Sequence, residues 1–342
     1  MKNLAIITGQ LGKGGQEKQL ILLLQDSINL NTNIILFNWS GLFDNHNLSQ
    51  IKNMPNVKYI SLGEKPIFIK LKDIINISQK CSHIISFTSY LNLLIFVLSI
   101  FTNKSFFGSA RITIDIELKK LSGWFNLLLV PNLICNSNKA IIQLKKWSFF
   151  KNHFILLNRL NKLDIPPTTN FHNNYDSISV STVNERKNLN FLIELALYRK
   201  NIDKPFKHIH LGDGPLLKYY QDLVIQMKLS DSIKFHGKSD NVYEYLLSSK
   251  IFFHFSYYEG TPNAMLEALS SGCFVIATES GDVSDLVVEE VSGSIQKEFN
   301  KVKFNKLFDK YIVKPRLLDN LPDKYYFKSD GSYFKNLIKI IN

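Results

Sequence analysis

Short apolar runs alternate with helix-length stretches along almost the whole chain, and they do so in two series. The first series opens with LAIIT (4–8), a Gly-rich GQLGKGGQ and then EKQLILLLQDSI, which has helical length and apolar spacing. NIILFNW (33–39), VKYISL (57–62), HIISFT (83–88), the apolar stretch 91–101, FFGSARI (106–112) and LICNS (133–137) follow. Such alternation predicts an α/β domain with a parallel sheet. Around 158–176 the pattern stops: NRLNKLDIPPTTNFHNNYD is polar, Asn-rich and carries Pro166 and Pro167, the composition of an interdomain linker. The second series then runs SISVST (177–182), KHIHLG (207–212), SIKFHG (232–237), IFFHFS (251–256) and FVIATE (274–279), with helical stretches between them. The expectation is two Rossmann-like units in tandem. The first spans 1–160, a linker 161–176, and the second 177–320. A C-terminal helix lies within 321–342, with a crossing back to the first unit left open.

Length and composition agree with two globular domains. The chain has 342 residues, 45% hydrophobic and 20% charged, against about 100–200 residues per domain. The three cysteines, Cys81, Cys135 and Cys273, are far apart and form no CxxC pair. A disulfide framework or a zinc site is not expected, and a reducing cytoplasm fits. The N-terminus MKNLAIITGQLGKGG has too short an apolar run for a signal peptide. LNLLIFVLSIF (91–101) is well short of the ~20 residues that span a bilayer. It reads first as a buried helix and second as a helix touching a membrane. The net charge of +12 is uneven. Residues 1–170 hold 19 Lys/Arg against 8 Asp/Glu, and residues 171–342 hold 22 against 21. A basic first half suits an anionic partner or a merely solvated basic surface.

Ligands of open α/β sheets bind beyond the carboxyl ends of the strands, so the loops that follow the strands are where chemistry is sought. In VSTVNERKNLNFL (180–192), Arg186 and Lys187 stand just before a helix, where cations and free N–H groups together attract anions. HLGDGPLL (210–217) and FHG (235–237) place Gly212 and Gly237 at tight turns, which alone is ordinary turn chemistry. Pro215 suits the first turn of the helix that follows. In SYYEGTPNAMLEALSSG (256–272), Glu259, Gly260, Thr261, Pro262 and Asn263 precede a helix, with Thr261 or Asn263 as its cap. Glu267 then falls about one and a half turns in. Two acceptor-only carboxylates suit a polyol, and helix N–H groups with a lysine suit a diphosphate. A sugar nucleotide has both. A glutamate on a solvated helix face is the commoner fate. The apolar sequence around Glu267 argues instead that it has a partner.

These motifs, in this order, resemble the family 4 type glycosyltransferases with the GT-B fold (glycosyl transferases group 1). EGTPNAMLEALSSGCFVIATESGDVSDLV (259–287) is similar to that family's E-x7-E signature almost position by position. GKGGQEKQL, VSTVNERKN, HLGDGPLL, KFHGKSDNVYEYL and CNSNKA resemble its other segments. The resemblance covers essentially the whole chain and is strongest over 177–290. It implies two Rossmann-like domains facing each other across a cleft, with an acceptor domain first and a nucleotide-sugar domain second. It implies a retaining, metal-independent transfer with no cofactor, the nucleotide-sugar being a substrate and UDP the expected nucleotide. Glu259 would bind donor-sugar hydroxyls and Glu267 the ribose. Backbone N–H groups near Gly260, Thr261, Pro262 and Asn263 would face sugar and phosphate. Lys187 would hold the diphosphate, and Gly14 and Gly15 would let the N-terminal loop approach it. Two departures stand out. Ser181-Thr182 replaces the family's Gly-Arg, with Arg186 as the compensating cation. The strand-4 segment reads SFTSYLN where many relatives carry a histidine, leaving Thr88 and Ser89 as the nearest polar groups.

The expected activity is hexosyl transfer onto a glycan or lipid-diphosphate-linked acceptor in surface polysaccharide, lipopolysaccharide or capsule biosynthesis. The basic first half then suits peripheral attachment to an anionic inner leaflet, weakened by salt. A catalytically silent GT-B subunit is the alternative, favoured by Ser181-Thr182 and opposed by Glu259, Glu267 and Lys187. GKGGQ is not G-x-G-x-x-G, which disfavours a Rossmann oxidoreductase. No nucleic-acid recognition motif is present.

Overall fold

The structure, a computed structural model, describes residues 2–102, 104–111, 121–128, 130–146, 152–161, 174–316 and 321–342. The linker read at 161–176 falls largely outside them. The chain divides into two compact units: Met1–Arg159 with Phe327–Asn342, and Leu160–Tyr326.

Unit 1 carries strands β1 (Lys2–Thr8), β2 (Thr32–Asn38), β3 (Val57–Ser61), β4 (His83–Ser86), β5 (Ser105–Ala110), β6 (Asn132–Cys135) and β7 (Asn152–Ile155). Its helices are α1 (Gly15–Asp26), α2 (Asn45–Lys52), α3 (Ile67–Ile77), α4 (Asn92–Thr102), α5 (Leu121–Leu128) and α6 (Asn138–Leu144). The sheet runs β3-β2-β1-β4-β5-β6-β7 with parallel neighbours. The chain winds outward one way from β1, then returns to β4 and winds the other way. Right-handed crossovers therefore put helices on both faces. One apolar core holds Leu20, Leu23 and Leu24 of α1 and Ile51 of α2. The other holds Ile74 of α3, Leu98 of α4, Leu127 of α5 and Leu144 of α6.

Unit 2 opens with the two-residue strand β8 (Leu160–Asn161). It continues with β9 (Tyr175–Val180), α7 (Leu189–Asn201), β10 (His208–Leu211), α8 (Leu217–Gln226), β11 (Ile233–Gly237), α9 (Val242–Leu247) and β12 (Ser249–His254). Then come α10 (Asn263–Ser270), β13 (Phe274–Thr278), α11 (Val283–Leu286), β14 (Gly293–Gln296) and α12 (Lys301–Ile312). Its parallel sheet runs β11-β10-β9-β12-β13-β14. The core is rich in aromatic side chains: Phe191 meets Phe255 and Phe304 edge-on, each with centroids 5.0 Å apart, a favoured arrangement of ring quadrupoles.

The last helix, α13 (Ser332–Ile341), belongs to unit 1 and packs on α1. The Asp26 carboxylate accepts from the N–H groups of Gly331 and Phe334, both at 2.9 Å. These are orphan donors at the N-terminus of α13. Tyr333, Phe334, Leu337 and Ile341 complete the α1 core. The segment 91–101 is helical but only half buried: Asn92, Ile95, Leu98 and Ser99 face inward, while Ile100 and Phe101 are exposed. Strands β7 and β14 went unread in the sequence. NHFI and GSIQ are too short and too polar to show as apolar runs.

Candidate functional site

In each unit the winding reverses at one place, between β1 and β4 in unit 1 and between β9 and β12 in unit 2. The loops that leave those strands diverge and open a crevice at their carboxyl ends. In unit 2 they are Ser181–Asn188, after β9, and Phe255–Pro262, after β12.

Those two loops are joined by charge. The Lys187 ammonium donates to the Glu259 carboxylate in a short ion pair, and Arg186 Nη1 lies 3.9 Å from its other oxygen. The Tyr257 N–H donates to the Arg186 carbonyl at 3.0 Å, so backbone fixes the approach as well. Lys187 ends a single 3-10 turn (Glu185–Lys187), and Asn188 takes a left-handed φ of 48° to start α7. Asparagine is among the few residues that tolerate this. Glu259 is only 7% exposed. Burial pushes its carboxyl up, but Lys187, then His254 and Arg186, overcome that and hold it at about 2. Burial lowers the Lys187 pKa, with Glu259 opposing. The attraction between the two groups opposes the loss of hydration that burial imposes on each. A lysine ammonium has three N–H donors. Glu259 takes one, which leaves capacity for an anion.

The rest of the loop after β12 is held from below. The Thr261 hydroxyl donates to the Asp282 carboxylate at 3.2 Å, and the Asp282 N–H donates to the Gly260 carbonyl at 3.0 Å. Asp282 is fully buried. The cap expected from Thr261 or Asn263 is not formed. Pro262 occupies the N-cap of α10 with no side-chain cap, because Thr261 is engaged by Asp282. Glu267 is half-buried on α10, and its carbonyl accepts from the Ser270 and Ser271 hydroxyls, both at 2.8 Å.

Gly212 and Gly237 have structural reasons of their own. Gly212 has φ +140°, and a Cβ there would lie 1.9 Å from the Ser181 carbonyl oxygen. Its N–H donates to the Gly237 carbonyl at 2.8 Å, and Gly237 has φ +86°. The bare backbone at 212 therefore lets the loop after β9 lie against the loop after β10. Pro215 does not start a helix: it sits in the turn before α8, which begins at Leu217.

Gly14 and Gly15 lie in unit 1, where Gly14 caps α1 and Gly15 begins it. Here the switch-point loops are joined by neutral groups. The Thr88 hydroxyl accepts from the Gly9 N–H and from the Gln16 side-chain amide, both at 2.9 Å, and the same amide donates to the Phe87 carbonyl at 2.7 Å. Thr88 is therefore bound to the Gly-rich loop. Arg111, just past β5, lies 3.7 Å over the Phe87 ring. Burial lowers its pKa to about 10, so it stays charged.

Of the twelve predicted positions, ten lie in unit 2. Lys187, Arg186 and Glu259 meet directly, and Gly260–Asn263 continue the Glu259 loop into α10. Sequence reading missed Asp282 and the buried histidines. His210 faces the Ser181 carbonyl at 3.2 Å, and burial drives its pKa to about 4. His254, at the end of β12, is likewise held near 4 by burial, and its Nε2 has no hydrogen-bond partner. Asp282 could have been found by extending the strand-end rule to the loop after 274–279.

Residues 161–325 match the family model for glycosyl transferases group 1. Ninety-nine residues are 33% identical to the Vi polysaccharide biosynthesis protein VipC/TviE of Salmonella typhi, covering 29% of this chain and 17% of that one. A stretch of 102 residues is 29% identical to the N-acetylgalactosamine-N,N'-diacetylbacillosaminyl-diphospho-undecaprenol 4-alpha-N-acetylgalactosaminyltransferase of Campylobacter jejuni, covering 30% of this chain and 27% of that one. These matches therefore span less than a third of either relative. The crystal structure of Anabaena HepE in complex with UDP and glucose superposes with a TM-score of 0.75 at 15% identity, over 98% of this chain and 95% of that one. The fold is GT-B, built from two Rossmann-like units.

Proposed function

We propose that the protein is a retaining glycosyltransferase that moves a hexosyl unit from a nucleotide-sugar, UDP-linked by preference, to a glycan or lipid-diphosphate-linked acceptor in surface polysaccharide biosynthesis. The Lys187–Glu259 pair with Arg186, at the switch point of unit 2, is the observation that carries this reading. The family match over 161–325 and the UDP-bound structural neighbour support it. The polysaccharide and diphospho-undecaprenol relatives support the acceptor class.

In this reading Lys187 turns its free donors to the diphosphate and stabilises the charge that grows as the sugar–phosphate bond breaks. Charge stabilisation of that kind is usually the largest catalytic contribution. Arg186 stands in for the cation absent at Ser181-Thr182. Glu259, held ionised, accepts from hydroxyls of the donor sugar, and Glu267 from the ribose. The N–H groups at the start of α10 face sugar and phosphate. Gly14 and Gly15 bring backbone to the diphosphate from unit 1. The departing phosphate oxygen takes the acceptor's proton on the face where the new bond forms, so configuration is retained without a protein nucleophile. Two protein cations supply the positive charge, and no metal is required. The place of action is the cytoplasm, at the inner face of the membrane.

The alternative is a silent nucleotide-sugar-binding subunit, which Ser181-Thr182 favours. Purified protein incubated with UDP-, GDP- and dTDP-sugars, with and without a lipid-diphosphate acceptor and with and without EDTA, separates the two. Nucleoside diphosphate release from one donor, unaffected by EDTA and lost in Lys187→Ala, is expected. UDP binding without turnover on any acceptor would favour the silent subunit, and failure to bind any nucleotide would overturn both.

A further inference from the structure

We infer that His210 is a positioning residue for the anion end of the unit 2 crevice: it ends a one-way file of hydrogen bonds that fixes the Ser181 carbonyl and so turns the Thr182 N–H towards the diphosphate. The inference rests on the glycosyltransferase reading for the identity of that ligand. Four polar side chains lie inside unit 2 where apolar ones of like shape would serve the core as well. They are Ser177 and Ser179 on β9 and His208 and His210 on β10, none more than 6% exposed. Ser177 Oγ lies 2.9 Å from His208 Nδ1. Ser179 Oγ lies 2.9 Å from His208 Nε2 and 2.7 Å from His210 Nδ1. His210 Nε2 lies 3.2 Å from the Ser181 carbonyl oxygen. Phe253 stacks on the His208 ring at 5.8 Å and Phe235 lies against the His210 ring at 5.3 Å, which holds both rings in place.

The direction of the file follows from its last member. A carbonyl oxygen only accepts, so His210 Nε2 carries the proton. Burial keeps both rings neutral, and a neutral imidazole has one donor and one acceptor. His210 Nδ1 therefore accepts from the Ser179 hydroxyl. With its one proton engaged, that hydroxyl accepts from His208 Nε2, and His208 Nδ1 accepts from the Ser177 hydroxyl. Reversing any member would leave a buried polar atom unpaired, which is costly. Polar side chains kept for stability alone could close on one another within the sheet. This file instead leaves the sheet and ends on the first residue of the loop that carries Lys187. The Ser181 N–H also faces β10, donating to the Leu211 carbonyl at 2.9 Å. The 181–182 peptide is trans and planar, so its C=O and N–H point opposite ways. With the carbonyl drawn to β10, the Thr182 N–H is turned to the other side of β9, where β12 lies and where Lys187 meets Glu259. Among the described residues nothing accepts from that N–H. A free backbone donor beside an ammonium and a guanidinium suits a phosphate oxygen.

The test uses the full chain. Nitrogen NMR of labelled histidine side chains, assigned with His208→Gln and His210→Gln, should show both rings neutral and each wholly in the Nε2–H form. UDP affinity, measured by calorimetry, should fall about tenfold in His210→Phe, as the loss of about one hydrogen bond would give. His210→Gln, whose amide nitrogen reaches the place of Nε2, should restore it to within about twofold of wild type, and His210→Asn, whose shorter side chain reaches only Ser179, should not. Ser177→Ala, at the far end of the file, should lower the melting temperature yet keep UDP affinity within about twofold, which separates positioning from loss of stability. A mixture of tautomers would overturn the inference, as would a His210→Phe variant that binds UDP like wild type. Where His210→Phe does not fold, the His210→Gln and His210→Asn variants decide, and equal affinity in those two would overturn it. Wild-type protein that binds UDP while these variants fail the expectation leaves the glycosyltransferase reading standing without the positioning role; wild-type protein that binds no UDP would overturn both.

Discussion

At the switch point of unit 2 the loops after β9 and β12 are tied by a buried ion pair, Lys187 with Glu259. At the corresponding place in unit 1 the loops after β1 and β4 are tied by Thr88, Gln16 and the Gly9 N–H, all uncharged. Net charge runs the opposite way. The half of the sequence with an excess of 11 positive charges has the neutral tie, and the nearly balanced half has the charged one. Net charge thus reports on the outer surface of a unit and says little about the chemistry at its strand ends. A charged tie is already arranged for an anion, which can replace or extend one partner. A neutral tie fixes a loop and little more.

The largest expected effect comes from removing one end of the charged tie. Lys187→Ala should lower turnover about 10²- to 10³-fold by losing transition-state charge stabilisation. It should also destabilise the protein by up to about 3–5 kcal/mol, because Glu259 stays buried without its nearest cation, with Arg186 at 3.9 Å remaining. Lys187→Met combined with Glu259→Gln should regain most of that stability and none of the activity. Denaturant melts beside product assays check both. A double variant as unstable as the single one would mean that the pair is not the tie. Intermediate effects are expected at the glycines. Gly212→Ala drives a Cβ into the Ser181 backbone at a φ of +140°, a strain of about 1–3 kcal/mol. Gly14→Ala, at an ordinary φ of −85°, meets only the movable end of the Glu17 side chain. Its cost should stay below about 1 kcal/mol. Equal shifts in melting temperature would erase this difference between the units.

The smallest effect is on acid stability. His208, His210 and His254 are buried and neutral, the first held well below 6.5 and the others near 4. Unfolded histidine binds a proton below about 6.5. Their contribution is thus complete above that pH and is lost as pH falls towards 4. Glu259 adds a second loss between its ordinary 4.5 and about 2. All three tryptophans, Trp39, Trp124 and Trp147, lie in the unit 1 part of the sequence. Circular dichroism should therefore begin to fall on acidification before tryptophan emission changes. Coincident transitions would show that the two units respond to acid as one.

The alternating pattern made both sheets legible, and the loop rule brought Arg186, Lys187 and Glu259 into view. What stayed hidden depended on contacts distant in sequence. Gly212 reads as a turn residue, while its need for glycine comes from the Ser181 carbonyl. Thr261 reads as a helix cap, while its hydroxyl is taken by Asp282, 21 residues later. The buried histidines read as strand residues because nothing local shows that they are sealed from water.

The pairing of Asp26 with Gly331 spans 305 residues, and that distance has a temporal meaning on the ribosome. The leucine-rich inner face of α1 is made early, and the helix that covers it is made only after Leu160–Tyr326 has been synthesised. At about 5–20 residues per second the gap lasts on the order of tens of seconds. For that time unit 1 is an unfinished domain with an open apolar flank, while unit 2 has its whole sequence in one continuous stretch. The unit begun first is therefore the one completed last.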